Sequence, residues 1–161
     1  MKKILFFLSF LLILTSCGSD DDICLSSDST PRLKFKFRNA VNPDNNQLIT
    51  IDTLYVDVDY GKTELTSIIR AQANVDSVFV PIRVDDVTYT DIYFRRRKDG
   101  PRSKLRINYS TKAIYVSPAC GFKINYENLN AELLEANPVL NVESNHTSLT
   151  DESKINFYLR F

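Results

Sequence analysis

The chain predicts an all-β fold, an antiparallel β-sandwich (Ig-like or similar) of about eight strands. Three observations carry that expectation. Short runs alternate apolar and polar residues with a period of two. Turn residues punctuate them at short intervals. The 161 residues include eighteen Phe and Tyr but only four Gly, which is ample apolar material for a packed β core.

The elements follow in order. Pro31 precedes Leu33-Lys34-Phe35-Lys36-Phe37, where Leu33, Phe35 and Phe37 share one face. Residues 39–47, with Asn42-Pro43-Asp44-Asn45-Asn46, have loop chemistry. Leu54 to Tyr60 alternates again and closes at Gly61. Thr63 to Asn74 is ambiguous: Leu65, Ile68 and Ile69 have helical spacing, and a short strand or loop fits equally well. Val78, Val80, Ile82 and Val84 share a phase, and Pro81 places them at a sheet edge. Thr88–Arg97 and Arg102–Tyr109 form a hairpin across Lys98-Asp99-Gly100-Pro101, because Asp-Gly is a strong turn signal. Lys112–Val116 reads as a further short strand. Phe122, Ile124 and Tyr126 alternate in one phase, and Leu129, Ala131 and Leu133 in the other. A one-residue slip turns every side chain over, so a bulge is expected near Glu127-Asn128. Val139–Glu143 is weakly strand-like, and Ile155, Phe157, Leu159 and Phe161 make a last strand. A membrane-spanning barrel is disfavoured, since the outward positions carry Lys34, Lys36, Asp57, Asp59, Lys104 and Arg106.

Ahead of the strands lies an export signal. Met1-Lys2-Lys3 is a positive start, and the eleven residues Ile4–Leu14 are apolar apart from Ser9. As a helix they span ~16 Å, about half a bilayer core, which fits a secretory signal and not a membrane span. The run ends in Leu14-Thr15-Ser16-Cys17, which resembles the bacterial lipobox. The expected organisation is a signal peptide over 1–16, an acylated N-terminus and flexible tether over 17–30, and a single β-sandwich domain over 31–161. Acyl chains on Cys17 would hold the protein to a membrane, since each buried methylene contributes ~0.8 kcal/mol. Gly18-Ser19-Asp20-Asp21-Asp22 follows. It resembles the surface-export signal of Bacteroidota lipoproteins, and it also has the composition of a solvated tether. The expected location is the outer membrane, lipid-anchored, at the cell surface in preference to the periplasmic face.

Lys2 and Lys3 leave with the signal peptide, so 18 of the 20 basic residues remain against 20 acidic ones, a net charge of −2. No overall basic field favours nucleic acid. With Cys17 acylated, Cys24 and Cys120 are an even pair in an oxidising compartment. A disulfide between them is expected in preference to two separate thiols.

The lipobox, Asp21-Asp22-Ile23-Cys24, Pro31, Asn42-Pro43, and Pro118-Ala119-Cys120-Gly121-Phe122 leading into Tyr126-Glu127-Asn128-Leu129 together resemble an uncharacterised family of small Bacteroidota outer-membrane or surface lipoproteins. The resemblance spans nearly the whole mature chain. It implies export and a β fold, and it transfers no catalytic residue.

Sites for chemistry are sparse. His146 is the one histidine and lies in a polar stretch, where a solvated residue is the simpler reading than Ser-His-Asp or Cys-His catalysis. Metal-binding spacings and Gly-rich phosphate loops are missing, so no cofactor is expected. Asp57 and Asp59 share a strand face about 7 Å apart. They suit glycoside hydrolysis or calcium in principle, and a solvated outer face more simply. Asn42–Asn46 offers oxygens to calcium but lacks the glycine and glutamate of an EF-hand. Arg95, Arg96, Arg97, Lys98, Arg102, Lys104 and Arg106 cluster at the hairpin end. There they can grip an anionic ligand such as lipopolysaccharide, or simply form a solvated tip that discourages edge pairing. The expected protein is a non-enzymatic envelope lipoprotein, a binding or scaffold module with an envelope-protein or glycan partner. The alternatives are a structural subunit of an outer-membrane complex and a carboxylate-dependent glycan-processing enzyme.

Overall fold

The computed structural model describes Cys24, residues 29–41 and residues 46–161. Nine strands form two sheets: β1 (Leu33–Arg38), β2 (Ile51–Asp59), β3 (Thr66–Val75), β4 (Ser77–Val80), β5 (Tyr89–Arg95), β6 (Ser103–Ser117), β7 (Gly121–Glu135), β8 (Asn141–Ser144) and β9 (Phe157–Arg160). The order is β4-β1-β9-β8 in one sheet and β3-β2-β5-β6-β7 in the other. All pairings are antiparallel except β1 with β9, which run parallel. The chain is an all-β sandwich.

Period-two alternation builds the core. Leu33, Phe35 and Phe37 on β1 are fully buried, while Lys34 and Lys36 point outward. The facing sheet supplies Leu54, Val56, Val58, Ile92, Phe94, Leu105 and Ile107. Phe35 joins the layers: its ring lies 5.6 Å edge-on from Phe94 of the other sheet and 5.7 Å from Phe157 beside it. Such aromatic pairs add about 0.5–1.5 kcal/mol beyond the area they bury.

The ambiguous segment is β3. Two register shifts against β2 break its alternation, and Ala71 takes a positive φ of 52°. The bulges leave Ile68 and Ile69 side by side, which is why the spacing imitates a helix. Residues 112–116 are not a separate strand; they continue β6, which runs for 15 residues. The expected bulge at Glu127-Asn128 is present: Asn108 pairs with Asn130 and Ser110 with Glu127, and Asn128 has φ 56°. That bulge lets both Tyr126 and Leu129 reach the core.

Val84 does not share the core phase and is 61% exposed. β4 stops at Val80, because Pro81 has no amide to extend the ladder with β1. The chain then crosses to the other sheet, held by the phenols of half-buried Tyr60 and buried Tyr126. Tyr60 Oη donates to the Pro81 carbonyl at 2.9 Å, and Tyr126 Oη to the Arg83 carbonyl at 3.2 Å. The Arg83 amide donates to Thr90 Oγ1 at 3.0 Å. Burial pushes the Tyr126 phenol well above its ordinary range, so the hydroxyl stays a donor.

Strand direction defines two ends. β6 runs from the β5–β6 tip to the β6–β7 turn, about 45 Å at ~3.3 Å per residue. At the turn, Cys120 is joined to Cys24 by a disulfide, with Cα atoms 5.7 Å apart. Gly121 follows with φ +67°, a conformation that side chains rarely adopt. The Ile124 amide donates to Thr30 Oγ1 at 3.0 Å, so the incoming chain lies along the edge of β7. Farther along that edge, the Tyr126 amide donates to the Leu149 carbonyl at 3.0 Å and the Leu149 amide returns the bond at 2.8 Å.

Candidate functional site

The hairpin places the basic residues as its register dictates. Asp91 of β5 stands opposite Arg106 of β6, and Tyr93 opposite Lys104. All four face outward, since Ile92 and Phe94 point into the core. Asp91 is nevertheless only 4% exposed and Tyr93 7%, because long basic side chains lie over them. Arg106 forks onto Asp91 through Nε at 2.7 Å and Nη2 at 2.9 Å. Lys104 Nζ sits 3.0 Å from the same carboxylate. Arg106 also covers the Tyr89 ring at 4.1 Å, and Arg102 the Tyr93 ring at 4.7 Å.

The candidate carboxylates Asp57 and Asp59 are also engaged. Asp57 is 8% exposed, so its solvated reading is corrected. It accepts from Arg95 Nη2 at 2.6 Å. Asp59 Oδ1 accepts from the Gly61 amide at 2.7 Å, which shapes the turn after β2. His146 lies in the loop after β8, where its amide donates to the Asn156 carbonyl at 3.2 Å. No group of three metal-ligating side chains occurs among the described residues.

The seven basic residues therefore divide. Arg95, Lys104 and Arg106 are committed to Asp57 and Asp91. Arg96, Arg97, Lys98 and Arg102 are exposed at the tip. Of these, Arg96 has a distant carboxylate, Asp52, at 3.6 Å. Arg97, Lys98 and Arg102 form no ion pair among the described residues. The tip is closed by the Gly100 amide donating to the Arg97 carbonyl at 3.2 Å. A Cβ on Gly100 would lie 3.2 Å from Arg97 Cβ, so the missing side chain lets the turn fold against Arg97. Beside the tip is an open cleft of about 430 Å³, lined by Asp52, Thr53, Arg96, Arg97, Pro101 and Asn137. It combines two guanidinium groups with oxygen and amide groups that suit hydroxyls.

Sequence reasoning missed Asp91, Asp52 and Asn137. Asp91 had a signal: folding the hairpin about residues 98–101 brings it opposite Arg106. Asp52 and Asn137 come from distant strand ends, and nothing in the sequence ties them to the basic tip. Cys17 and the acidic run Ser19, Asp20, Asp21 and Asp22 lie outside the described residues, as do residues 42–45 of the proposed calcium-friendly loop.

The Asp91 cluster sets an acid limit. Burial raises its carboxyl pKa, but hydrogen bonds from Arg106 and Lys104 outweigh burial and hold it below the ordinary value. A depressed folded pKa stabilises fully above the unfolded value of ~3.9 and is lost as pH falls through the lower folded value. Urea midpoints are therefore expected to fall as the pH drops below about 4. Asp91→Asn is expected to lower stability at neutral pH by about 1–3 kcal/mol and to flatten that acid slope. Glu143, between Arg38 and Arg160, and Glu152, on Arg32, are depressed as well and add to the slope.

Comparison with known proteins agrees with both parts of the chain. Residues 53–161 match the Family of unknown function (DUF6452), and the chain belongs to that family. Residues 1–17 match the prokaryotic membrane lipoprotein lipid attachment site. No curated protein and no solved structure matches the chain.

Proposed function

We propose that this DUF6452 lipoprotein is a non-enzymatic binding module, held by its lipid at the outer membrane and displayed at the cell surface, whose basic end takes an acidic glycan. The observation that carries this reading is the division of the basic residues. Arg95, Lys104 and Arg106 are used in close ion pairs, whereas Arg96, paired only at 3.6 Å, and Arg97 line a polar cleft, with Lys98 and Arg102 exposed near it at the tip. Guanidinium groups match phosphate and carboxylate oxygens two at a time. Asp52, Thr53 and Asn137 offer partners for sugar hydroxyls. The location supports the same reading. The disulfide ties Cys24 to the end of β6 opposite the basic tip, which supports a basic end directed away from the membrane. Display at the surface rests on the acidic residues after Cys17. The non-enzymatic reading is supported by Asp57 and Asp59, the strand carboxylates best spaced for hydrolysis, which are engaged by Arg95 and Gly61.

The test is retention on an array of acidic and neutral oligosaccharides. Wild type is expected to retain phosphorylated or uronic-acid glycans in a salt-sensitive way. The triple change Arg96→Ser, Arg97→Ser, Arg102→Ser is expected to weaken retention at least tenfold, since hydrogen bonds to charged groups are each worth about 1.5–3 kcal/mol. Equal retention by wild type and variant overturns the assignment. Capture of a stoichiometric envelope protein with no glycan retained points instead to a scaffold.

A further inference from the structure

The opposite end of the molecule carries a second surface. Along one face of the β6–β7 hairpin, three cross-strand pairs succeed one another toward the turn: Thr111 with Tyr126, Ala113 with Ile124, and Tyr115 with Phe122. They continue the core face of the sheet. Tyr126 is fully buried and Ile124 packs at the core's margin, but Tyr115 is 57% and Phe122 67% exposed. The reason is length. β6 and β7 are 15 residues each, whereas β1 in the opposing sheet has six, so the hairpin outruns its cover. The two rings meet edge to face at 5.3 Å and form one apolar knob.

The chain's own connectivity places that knob near a bilayer. Cys24 is bonded to Cys120, two residues before Phe122. Cys17, the lipid attachment position, is seven residues before Cys24. Even fully extended, seven residues reach only about 25 Å. The hairpin end therefore cannot leave the headgroup region by more than that distance while the acyl chains stay inserted. A tyrosine, with one polar tip and one apolar body, partitions to that region, and the adjoining Phe122 ring adds apolar area that the acyl boundary can bury.

We infer that Tyr115 and Phe122 dock the β6–β7 turn into the lipid headgroup interface, as a second membrane contact beside the lipid anchor. The protein then stands on its hairpin with the basic end outward, instead of tumbling on the tether.

The chain has no tryptophan, so a single one reports cleanly. Phe122→Trp, made in the acylated full-length mature protein and placed in phosphatidylethanolamine–phosphatidylglycerol vesicles, is expected to emit blue-shifted light. Brominated lipid acyl chains are expected to quench it. Lys98→Trp, at the basic tip, is expected to emit as in water and stay unquenched. Three results overturn the inference: water-like, unquenched emission from Phe122→Trp; a blue shift without lipid quenching, which means that residues 18–28 or a second copy cover the knob; or equal quenching at both positions. Circular dichroism identical to wild type guards against misfolding, and the exposure of Phe122 makes that the expected outcome.

Discussion

Replacing Phe35 with alanine is expected to lower the unfolding free energy by about 3–5 kcal/mol. The ring is fully buried and touches both layers, with Phe94 in the five-stranded sheet and Phe157 on β9 as its neighbours. β1 is only six residues long and sits between β4 and β9, so no adjacent loop can move in to fill the void. The loss combines the transfer of the ring with the cavity left behind. Denaturant midpoints check it, with the slope unchanged if the unfolded state is unaltered. Phe122→Ser is the matched control: it removes an aromatic of the same size from an exposed position, and its unfolding free energy is expected to stay within about 0.5 kcal/mol of wild type. A small effect at Phe35 would mean that the two sheets do not pack through this ring.

Cys120→Ser is expected to cost about 2–4 kcal/mol and roughly 10 °C in Tm. The bridge closes a loop of sequence separation 96, for which chain entropy alone gives up to ~4.7 kcal/mol. Its second consequence is positional. Without the bridge, Thr30 Oγ1 at the Ile124 amide is one hold that remains on the incoming chain. A tether held there runs thirteen residues from Cys17, against seven to Cys24, and its extended reach is about 45 Å. Thermal scans with and without reductant measure the first effect. Alkylation before mass spectrometry checks its premise: unmodified Cys24 and Cys120 under non-reducing conditions carry the bridge, and alkylated ones contradict it.

Much of this architecture is legible in the sequence where alternation is unbroken. β1 and the first half of β6 show their faces directly, since one side of each is buried and the other is less so. β5 and β9 alternate in sequence, but partners also cover outward residues such as Asp91, Tyr93 and Arg160. The bulge at Asn128 is legible because the apolar phase changes across it. β3 is not legible: two bulges within ten residues scramble the period. The parallel pairing of β1 with β9 is equally hidden, because alternation states which face is buried and not which neighbour is bonded. At the site, the sequence displays seven basic residues as one cluster. Their division depends on register: Lys104 and Arg106 meet Asp91 only once β5 and β6 are paired, and Arg95 meets Asp57 only once β2 joins them. A polar residue in the outward phase reads as solvated, and Asp91 and Asp57 are buried by their own partners.

In the proposed arrangement, the lipid attachment, the disulfide and the long β6–β7 hairpin give the molecule a membrane end and a free end. We propose that the free end, through Arg96, Arg97 and Arg102, holds an acidic glycan. The most direct measurement is the binding constant of a phosphorylated oligosaccharide to the vesicle-anchored protein as salt is raised. Wild type is expected to bind saturably, with an affinity that falls steadily as ionic strength screens the contacts. The Arg96→Ser, Arg97→Ser, Arg102→Ser protein is expected to bind at least tenfold more weakly, with a flatter salt dependence. Equal affinity and equal salt dependence in the two proteins would contradict the account.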